Sequence, residues 1–440
     1  MPRPLAPAPA LATDPATVPE AEFLAPAEVA RLKAERWARQ RAYVARASPF
    51  LSRLWQGRAP PQRLEDLPTL PLCDKAMLRQ SQAAAPPFGD YLAAAPERVA
   101  RLHRTSGTTG QAMNLGLSLR DAAETAEVGA RAQRAAGLGP GHRVVHCLNY
   151  QLWMGGLTDH TTLEATGAMV VPFGVGSSEL LIRTIRELEV TAISCTPSYP
   201  AVLEAVIAEK FEGLAPRDLG LRLGLFGGEA GLDNQSLRDR LEATWGFAVR
   251  NANYGVSDVF CNFAGQCEHS NDLHFMAPEV LHPELVEPDS GEPLAFEAGA
   301  QGELVLTHLS RECQPLVRFR SADIILITAI NPCACGRTVP RFRVIGRADD
   351  MVVVRGINLF PSQVAALLNG FPELSGEYRI VLEGPGPYHR LPLEAELAPG
   401  GKGDEGFRQS HAEAIKRHLG VTPEVRLVAP SSLPRTAGKS

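Results

Sequence analysis

The chain has 440 residues, 45% of them hydrophobic and 21% charged, which is too long for one hydrophobic core, so two or more domains are expected. A formal net charge of -5 without a long basic run gives no basis for nucleic-acid binding. No apolar run reaches the roughly 18 residues of a membrane-spanning helix, and eight cysteines are too sparse for a disulfide scaffold.

The first residues, MPRPLAPAPALATDPATVPE, are rich in Pro and Ala and lack a continuous apolar stretch. They read as a flexible tail over residues 1–22 rather than a signal peptide, so reduced thiols in a cytoplasm are expected. Helical spacing follows over about residues 26–46, with Val29, Leu32, Trp37 and Tyr43 on one stripe. Next comes Thr105-Ser106-Gly107-Thr108-Thr109-Gly110. Its glycines tolerate a tight turn, and its N–H groups and hydroxyls suit a polyphosphate. A helix predicted at about residues 120–136 adds its dipole. The loop is not a Walker A motif, because Gln111 follows where a lysine would stand.

From about residue 144 strand-like and helix-like segments alternate. Strands are predicted at 144–149, 168–173, 191–197, 221–227 and 248–255, with helices at 180–189 and 199–211. That alternation predicts an α/β sheet covered on both faces. Ligands of such sheets sit at the carboxyl ends of the strands. FGGE (Phe226–Glu229) and NYGVSD (Asn253–Asp258) lie there, where a nucleotide should bind. Residues 302–345 read instead as paired strands. After Arg347 a small α+β unit begins, with helices at 361–369 and about 404–419 and strands at 378–383 and 391–397. The expected domains are 23–346 and 347–440. Cys267, His274, Cys333 and Cys335 supply a Cys₃His set suited to a structural Zn²⁺, with His269 as a competing ligand. The other reading leaves them unrelated, with Cys267 and His274 lining a substrate pocket.

TSGTTG, FGGE, NYGVSD, PLVRFRSAD (Pro315–Asp323), GRADD (Gly346–Asp350) and LPRTAGK (ending at Lys439) occur in that order. Over about residues 70–440 this series resembles the adenylate-forming enzymes. GELVLTHLSRECQPLVRF and CGRTVPRFRVIGRADDMVVVRGINLFP resemble the phenylacetate–CoA ligase branch in particular. The resemblance implies an α/β fold: a large N-terminal domain with mixed and parallel sheets and a β-rich subdomain, then a small mobile α+β C-terminal domain. It implies an enzyme that joins an acid to ATP, releases pyrophosphate, and passes the acyl group to coenzyme A.

The same resemblance assigns roles. Ser106, Gly107, Thr108, Thr109 and Gly110 would hold the β- and γ-phosphates, with Thr109 at the reacting end. Gly228, Glu229, Asn253, Tyr254 and Gly255 would frame the adenine, Asp323 the ribose, and Arg347 the ribose or phosphate. Asp258 stands where the family has a Glu that helps hold Mg²⁺. Lys439 would meet the carboxylate and α-phosphate, although only Ser440 follows it. Asp349 would be the hinge of the C-terminal domain, and Gly356 would line the pantetheine tunnel. Tyr150, Trp153, Ser198 and Gly227, with the bulk of Met154 and Phe260, would form a flat apolar slot for an aromatic acid. His160 or Ser198 would meet a ring amine or hydroxyl. A homodimer is expected, with no nucleic-acid or membrane partner. Transfer to a carrier protein or amine is the alternative, and a non-catalytic nucleotide- or acyl-binding protein is the alternative of another class.

Overall fold

A computed structural model of the chain describes residues 18–105, 112–229, 231–350, 352–355, 357–382, 384, 388–401 and 403–433. Three helices open it: α1 (Pro26–Ala47), α2 (Pro49–Leu54) and α3 (Lys75–Ala84). A hairpin follows, β1 (Arg101–Arg104) and β2 (Asn114–Leu117). Then come α4 (Leu119–Ala135), β3 (Arg143–His146), α5 (Met154–Glu164), β4 (Met169–Pro172), α6 (Ser178–Glu187) and β5 (Ala192–Cys195). The alternation continues through α7 (Tyr199–Lys210), β6 (Leu223–Gly227), α8 (Gln235–Trp245) and β7 (Ala248–Val256).

Antiparallel strands then take over: β8 (Phe260–Cys267), β9 (Ser270–Phe275), β10 (Leu281–Val286), β11 (Pro293–Leu294), β12 (Gln301–His308), β13 (Phe319–Ala329) and β14 (Arg341–Arg347). The last elements are β15 (Val352–Val354), β16 (Ile357–Leu359), α9 (Pro361–Leu368), β17 (Leu374–Ile380), β18 (Leu391–Leu397), α10 (Glu405–Leu419) and β19 (Pro423–Val428).

Strands β3 to β14 pair continuously in one twelve-stranded sheet, ordered β11-β10-β12-β13-β14-β9-β8-β7-β6-β5-β3-β4. From β4 to β7 all pairings are parallel; from β7 through β8 to β11 all are antiparallel. Strand β7 is where the two halves meet, and it places Asn253–Val256 at that junction. Alternate residues of the parallel strands face opposite cores, as period-2 geometry requires. Val144, Ala192, Leu223 and Leu225 pack on one side, and Val145, Ile193 and Phe226 on the other. Burial on both faces explains why these strands read as continuous apolar runs in sequence.

The antiparallel half rests on α1 and α2. Trp37 is fully buried there, and its Nε1–H donates to Pro61 O at 3.0 Å. Trp37→Ala in such a site costs about 3–5 kcal/mol. Residues 18–22, read from sequence as tail, are packed here. Val18 N–H donates to Glu279 at 3.1 Å, Arg131 donates to Val18 O at 2.8 Å, and Ala21 and Glu22 are buried. Buried charges with partners hold this segment, a signal that Pro/Ala composition does not carry. The C-terminal unit has its own core, in which Val354, Leu359, Val364, Leu391, Leu393 and Ile415 meet.

Candidate active site

Three strand ends build the rim. Strand β6 ends in Gly227 and Gly228. Gly228 has φ +81°, a conformation that excludes most side chains. The turn carries Glu229 back to α7, where Ser198 Oγ–H donates to Glu229 Oε2 at 2.7 Å. Ser198, expected on the acid, and Glu229, expected on the adenine, are thus joined. Strand β7 supplies Asn253, Tyr254 and Gly255. A Cβ on Gly255 would lie 1.9 Å from the Cys261 carbonyl oxygen, so only glycine permits the β7–β8 approach.

Tyr254 and Asn253 are pinned on different sides. Tyr254 Oη–H donates to Asp323 Oδ2 at 2.7 Å, and its ring packs edge-on against Phe263 and Phe342. Burial and the Asp323 carboxylate push the Tyr254 phenol well above its ordinary pKa, so it remains a donor. Asn253 Nδ2–H donates to Asp159 Oδ2 on α5. Burial pushes the Asp159 carboxyl up to about 7, against the hydrogen bonds from Cys261 and Asn253.

Asp323 also receives Arg347. Arg347 Nη1–H donates to Asp323 Oδ1 at 2.8 Å, while Nε and Nη2 donate to the two oxygens of Asp349 at 2.8 and 2.9 Å. Burial works against the Arg347 charge, yet Asp349 and Asp323 raise its pKa. The residues expected at ribose, phosphate and hinge thus form one connected chain: Tyr254, Asp323, Arg347 and Asp349. Arg318 and Arg320 serve the scaffold. Arg318 pairs with Glu284 at 3.1 Å and donates to Leu70 O, and Arg320 pairs with Glu303 at 2.9 Å.

Asp258 has a partner that sequence reasoning missed. Lys75 Nζ lies 3.0 Å from Asp258 Oδ2. Lys75 opens α3, and a cation at a helix N-terminus opposes the dipole. That mismatch was the available signal. Asp258 Oδ1 is buried and has no hydrogen-bond partner. An orphaned hard carboxylate oxygen fits a Mg²⁺ ligand.

Around the expected acid slot, Tyr150 Oη lies 2.8 Å from His160 Nδ1, and His160 Nε2 lies 3.1 Å from Glu164. Trp153 lies near Gly228: a Cβ added there would meet its ring at 3.9 Å. Met154 and Phe260 are core residues instead, both nearly fully buried, and Phe260 lies under the Arg311 guanidinium. Their apolar bulk fits a pocket wall and a core equally well in sequence. Ser106, Gly107, Thr108, Thr109, Gly110, Gly356 and Lys439 lie outside the described residues.

Away from this rim, Cys267, His274, Cys333 and Cys335 converge, with all four ligand atoms within 4.8 Å of one another. Cys267 Sγ and Cys333 Sγ are 3.9 Å apart, and Cys335 Sγ and His274 Nε2 are 3.6 Å apart. A tetrahedral zinc with bonds of about 2.3 Å to sulfur and 2.0 Å to nitrogen spaces such atoms about 3.5–3.8 Å apart, so the donor set fits. Burial, with Arg337 and Arg341 nearby, pulls His274 down to about 4, leaving its ring neutral at pH 7. His269 is exposed and outside the set; its backbone N–H donates to Cys267 Sγ at 3.3 Å.

A sheet that is parallel on one side of β7 and antiparallel on the other, gathering Tyr254, Asp323 and Arg347 ahead of a small C-terminal unit, is the architecture of an AMP-forming acid–thiol ligase. Comparison with known proteins agrees. Residues 356–440 match the AMP-binding enzyme C-terminal domain. The chain belongs to the phenylacetate–coenzyme A ligase family: the phenylacetate-coenzyme A ligase of Thermus thermophilus is 35% identical over 447 aligned residues, covering 96% of this chain and 97% of that protein. A 2-hydroxyisobutyryl-CoA ligase in its postadenylation state, bound to an acyl-AMP, superimposes with a TM-score of 0.86 at 31% identity, covering 97% of this chain and 93% of that one. The same enzyme in its thioesterification state, bound to 2-HIB-AMP and CoA, gives 0.69 at 31% identity over 96% and 93%. The arrangement described here is therefore nearer the postadenylation state. Among the described residues no helix is long and apolar enough to cross a membrane.

Proposed function

We propose that this ligase activates an aromatic carboxylic acid of the benzoate, anthranilate or phenylacetate type. The acid's carboxylate oxygen attacks the α-phosphorus of ATP, the bond to the bridging oxygen breaks, and pyrophosphate leaves. The thiol of coenzyme A then loses its proton and attacks the acyl carbon, the C–O bond breaks, and AMP leaves. The enzyme's part is chiefly to position the reactants and neutralise charge.

Asp323 holds the ribose hydroxyls, Arg347 the adjoining phosphate oxygens, and Glu229 with Asn253 the adenine edge against Tyr254. Ser106 to Gly110 cradle the phosphates, and Lys439 meets the α-phosphate during adenylation. Asp258, with Lys75 beside it, holds Mg²⁺, which when bound neutralises polyphosphate charge. Rotation about Asp349 then withdraws Lys439 and brings Gly356 to the pantetheine path. The observation that carries this reading is the Tyr254–Asp323–Arg347–Asp349 chain, which joins the ribose position to the hinge by direct hydrogen bonds.

The Cys₃His cluster holds a structural Zn²⁺ in this reading, supported by its edge lengths, and the chain works as a cytoplasmic homodimer. The acid slot has a second reading. Tyr150 and His160 give it a polar wall, and the 2-hydroxyisobutyryl-CoA ligase likeness favours a small hydroxy acid. The test is pyrophosphate release from Mg-ATP across aryl and hydroxyalkyl acids, with and without CoA. Release with one aromatic acid plus its CoA thioester by mass spectrometry supports the first reading. Preference for a hydroxy acid supports the second. Pyrophosphate without thioester points to a carrier protein or amine, and silence with ATP still bound to the non-catalytic alternative.

A further inference from the structure

Asp159 has no part in the roles above, yet it lies directly behind the purine rim. It projects from α5 and is 2% exposed. Its two recorded donors are neutral: Asn253 Nδ2–H, and Cys261 Sγ–H at 2.8 Å. A carboxylate buried among neutral donors is costly where a leucine would pack at no such cost. Asn253 is held as tightly on its other side. It faces Gly227 across a bulge in the β6–β7 register, and a Cβ on Gly227 would come within 2.6 Å of the Asn253 Cβ. The Asn253 side chain is therefore wedged between the glycine turn and α5. Asp159 Oδ2 accepts from Asn253 Nδ2–H. It takes the NH₂ end of the amide and leaves Asn253 Oδ1, an acceptor, turned away from α5.

We propose that Asp159 is a positioning residue for nucleotide selection: by holding Asn253 Nδ2 it presents Oδ1 to the exocyclic amine of a 6-aminopurine and sets it against a 6-oxopurine. Adenine offers a donor at that position and a 6-oxopurine an acceptor. An amide fixed in the wrong sense would leave two acceptors facing each other, unpaired. The inference rests on the nucleotide-site reading given under Proposed function.

The test compares ATP with ITP, which differ at that position, using pyrophosphate release by the full-length enzyme and its Asp159→Leu and Asp159→Ala variants. Leucine keeps the bulk and alanine avoids overpacking, so a variant that melts near wild type remains to be read. The expected result is about a tenfold loss in kcat/KM for ATP, carried by KM, and a similar fall in the ATP:ITP ratio. A purely structural role would not move that ratio. A folded variant with the wild-type ratio and ATP KM overturns the proposal. Asn253→Ala separates the two failures. If it also leaves the ATP KM and ratio unchanged, the nucleotide-site reading of Asn253 falls, and the proposal with it. If it loses selectivity while the Asp159 variants keep it, only the role of Asp159 falls.

Discussion

At its first residue, β14 pairs Arg341 with His274 beside the cysteines; at its last, Arg347 pairs with Asp323 at the strand-end rim. Six steps of strand, about 20 Å, separate the two clusters. At the rim end, charges are already matched: Arg347 spans two carboxylates, and Tyr254 completes Asp323. On the reading proposed above, ligand hydroxyls and domain rotation exchange these bonds for others, so the cluster suits a part that changes partners. At the other end, three thiols and an imidazole converge with their ligand atoms within 4.8 Å of one another, and all eight cysteines of the chain are free thiols. Such a set suits one permanent occupant. On the proposed reading, one strand carries a switchable site and a static one, distinguished by whether partners are already present.

Substitutions can break that contrast. The largest effect is expected from Asp323→Ala, which removes the acceptor of Tyr254 and Arg347. Loss of two charge-assisted bonds should lower kcat/KM for ATP about a hundredfold in a pyrophosphate assay, with little change in zinc content. Arg347→Lys keeps the charge but loses the fork that spans Asp323 and Asp349. About a tenfold fall in kcat is expected, and an unchanged rate would remove the Asp323–Arg347–Asp349 bridge from the account.

At the static end, Cys333→Ser should abolish bound zinc by elemental analysis and lower the melting temperature by about 5 °C, leaving KM for ATP unchanged. Zinc loss that also raises KM for ATP would merge the two clusters into one system. Lys75→Met strips the cation from buried Asp258. A rise in KM for Mg-ATP of about fivefold is expected by steady-state kinetics.

A control outside both clusters concerns acid stability. Burial holds His146 down to about 4, with its ring against the Gly155 and Gly156 carbonyls. Between the ordinary His value of about 6.5 and 4, the unfolded chain binds a proton that the folded chain refuses. Stability is therefore lost as pH falls through that window. Denaturant titrations of His146→Gln should show a shallower pH slope than wild type, by up to one proton.

Much of the fold was legible because its patterns are local. The region read as paired strands over 302–345 holds β12, β13 and β14, the strand read at 391–397 is β18, and the helix read at 199–211 ends one residue earlier, at Lys210. Strands β9 and β10 were missed. Their text, SNDLHF and LHPELV, is polar or proline-bearing, and it becomes strand through neighbours distant in sequence. The rim was legible through ordered motifs, since Tyr254, Asp323 and Arg347 do meet. Lys75 and Asp159 were not, because a lone lysine and a mid-helix aspartate gain meaning only from Asp258 and Asn253 across the fold. The cysteine set was visible as residue types, but its convergence required β8, β9 and the loop before β14 to be brought together.

The most direct measurement is a single-turnover reaction of the purified enzyme with α-³²P-labelled Mg-ATP and an activating acid, followed by addition of CoA. Labelled acyl-AMP that chases to AMP and one equivalent of acyl-CoA, with the first step lost in Asp323→Ala, is the expected result. Formation of ADP, or acyl-AMP made equally well by Asp323→Ala, would contradict the account.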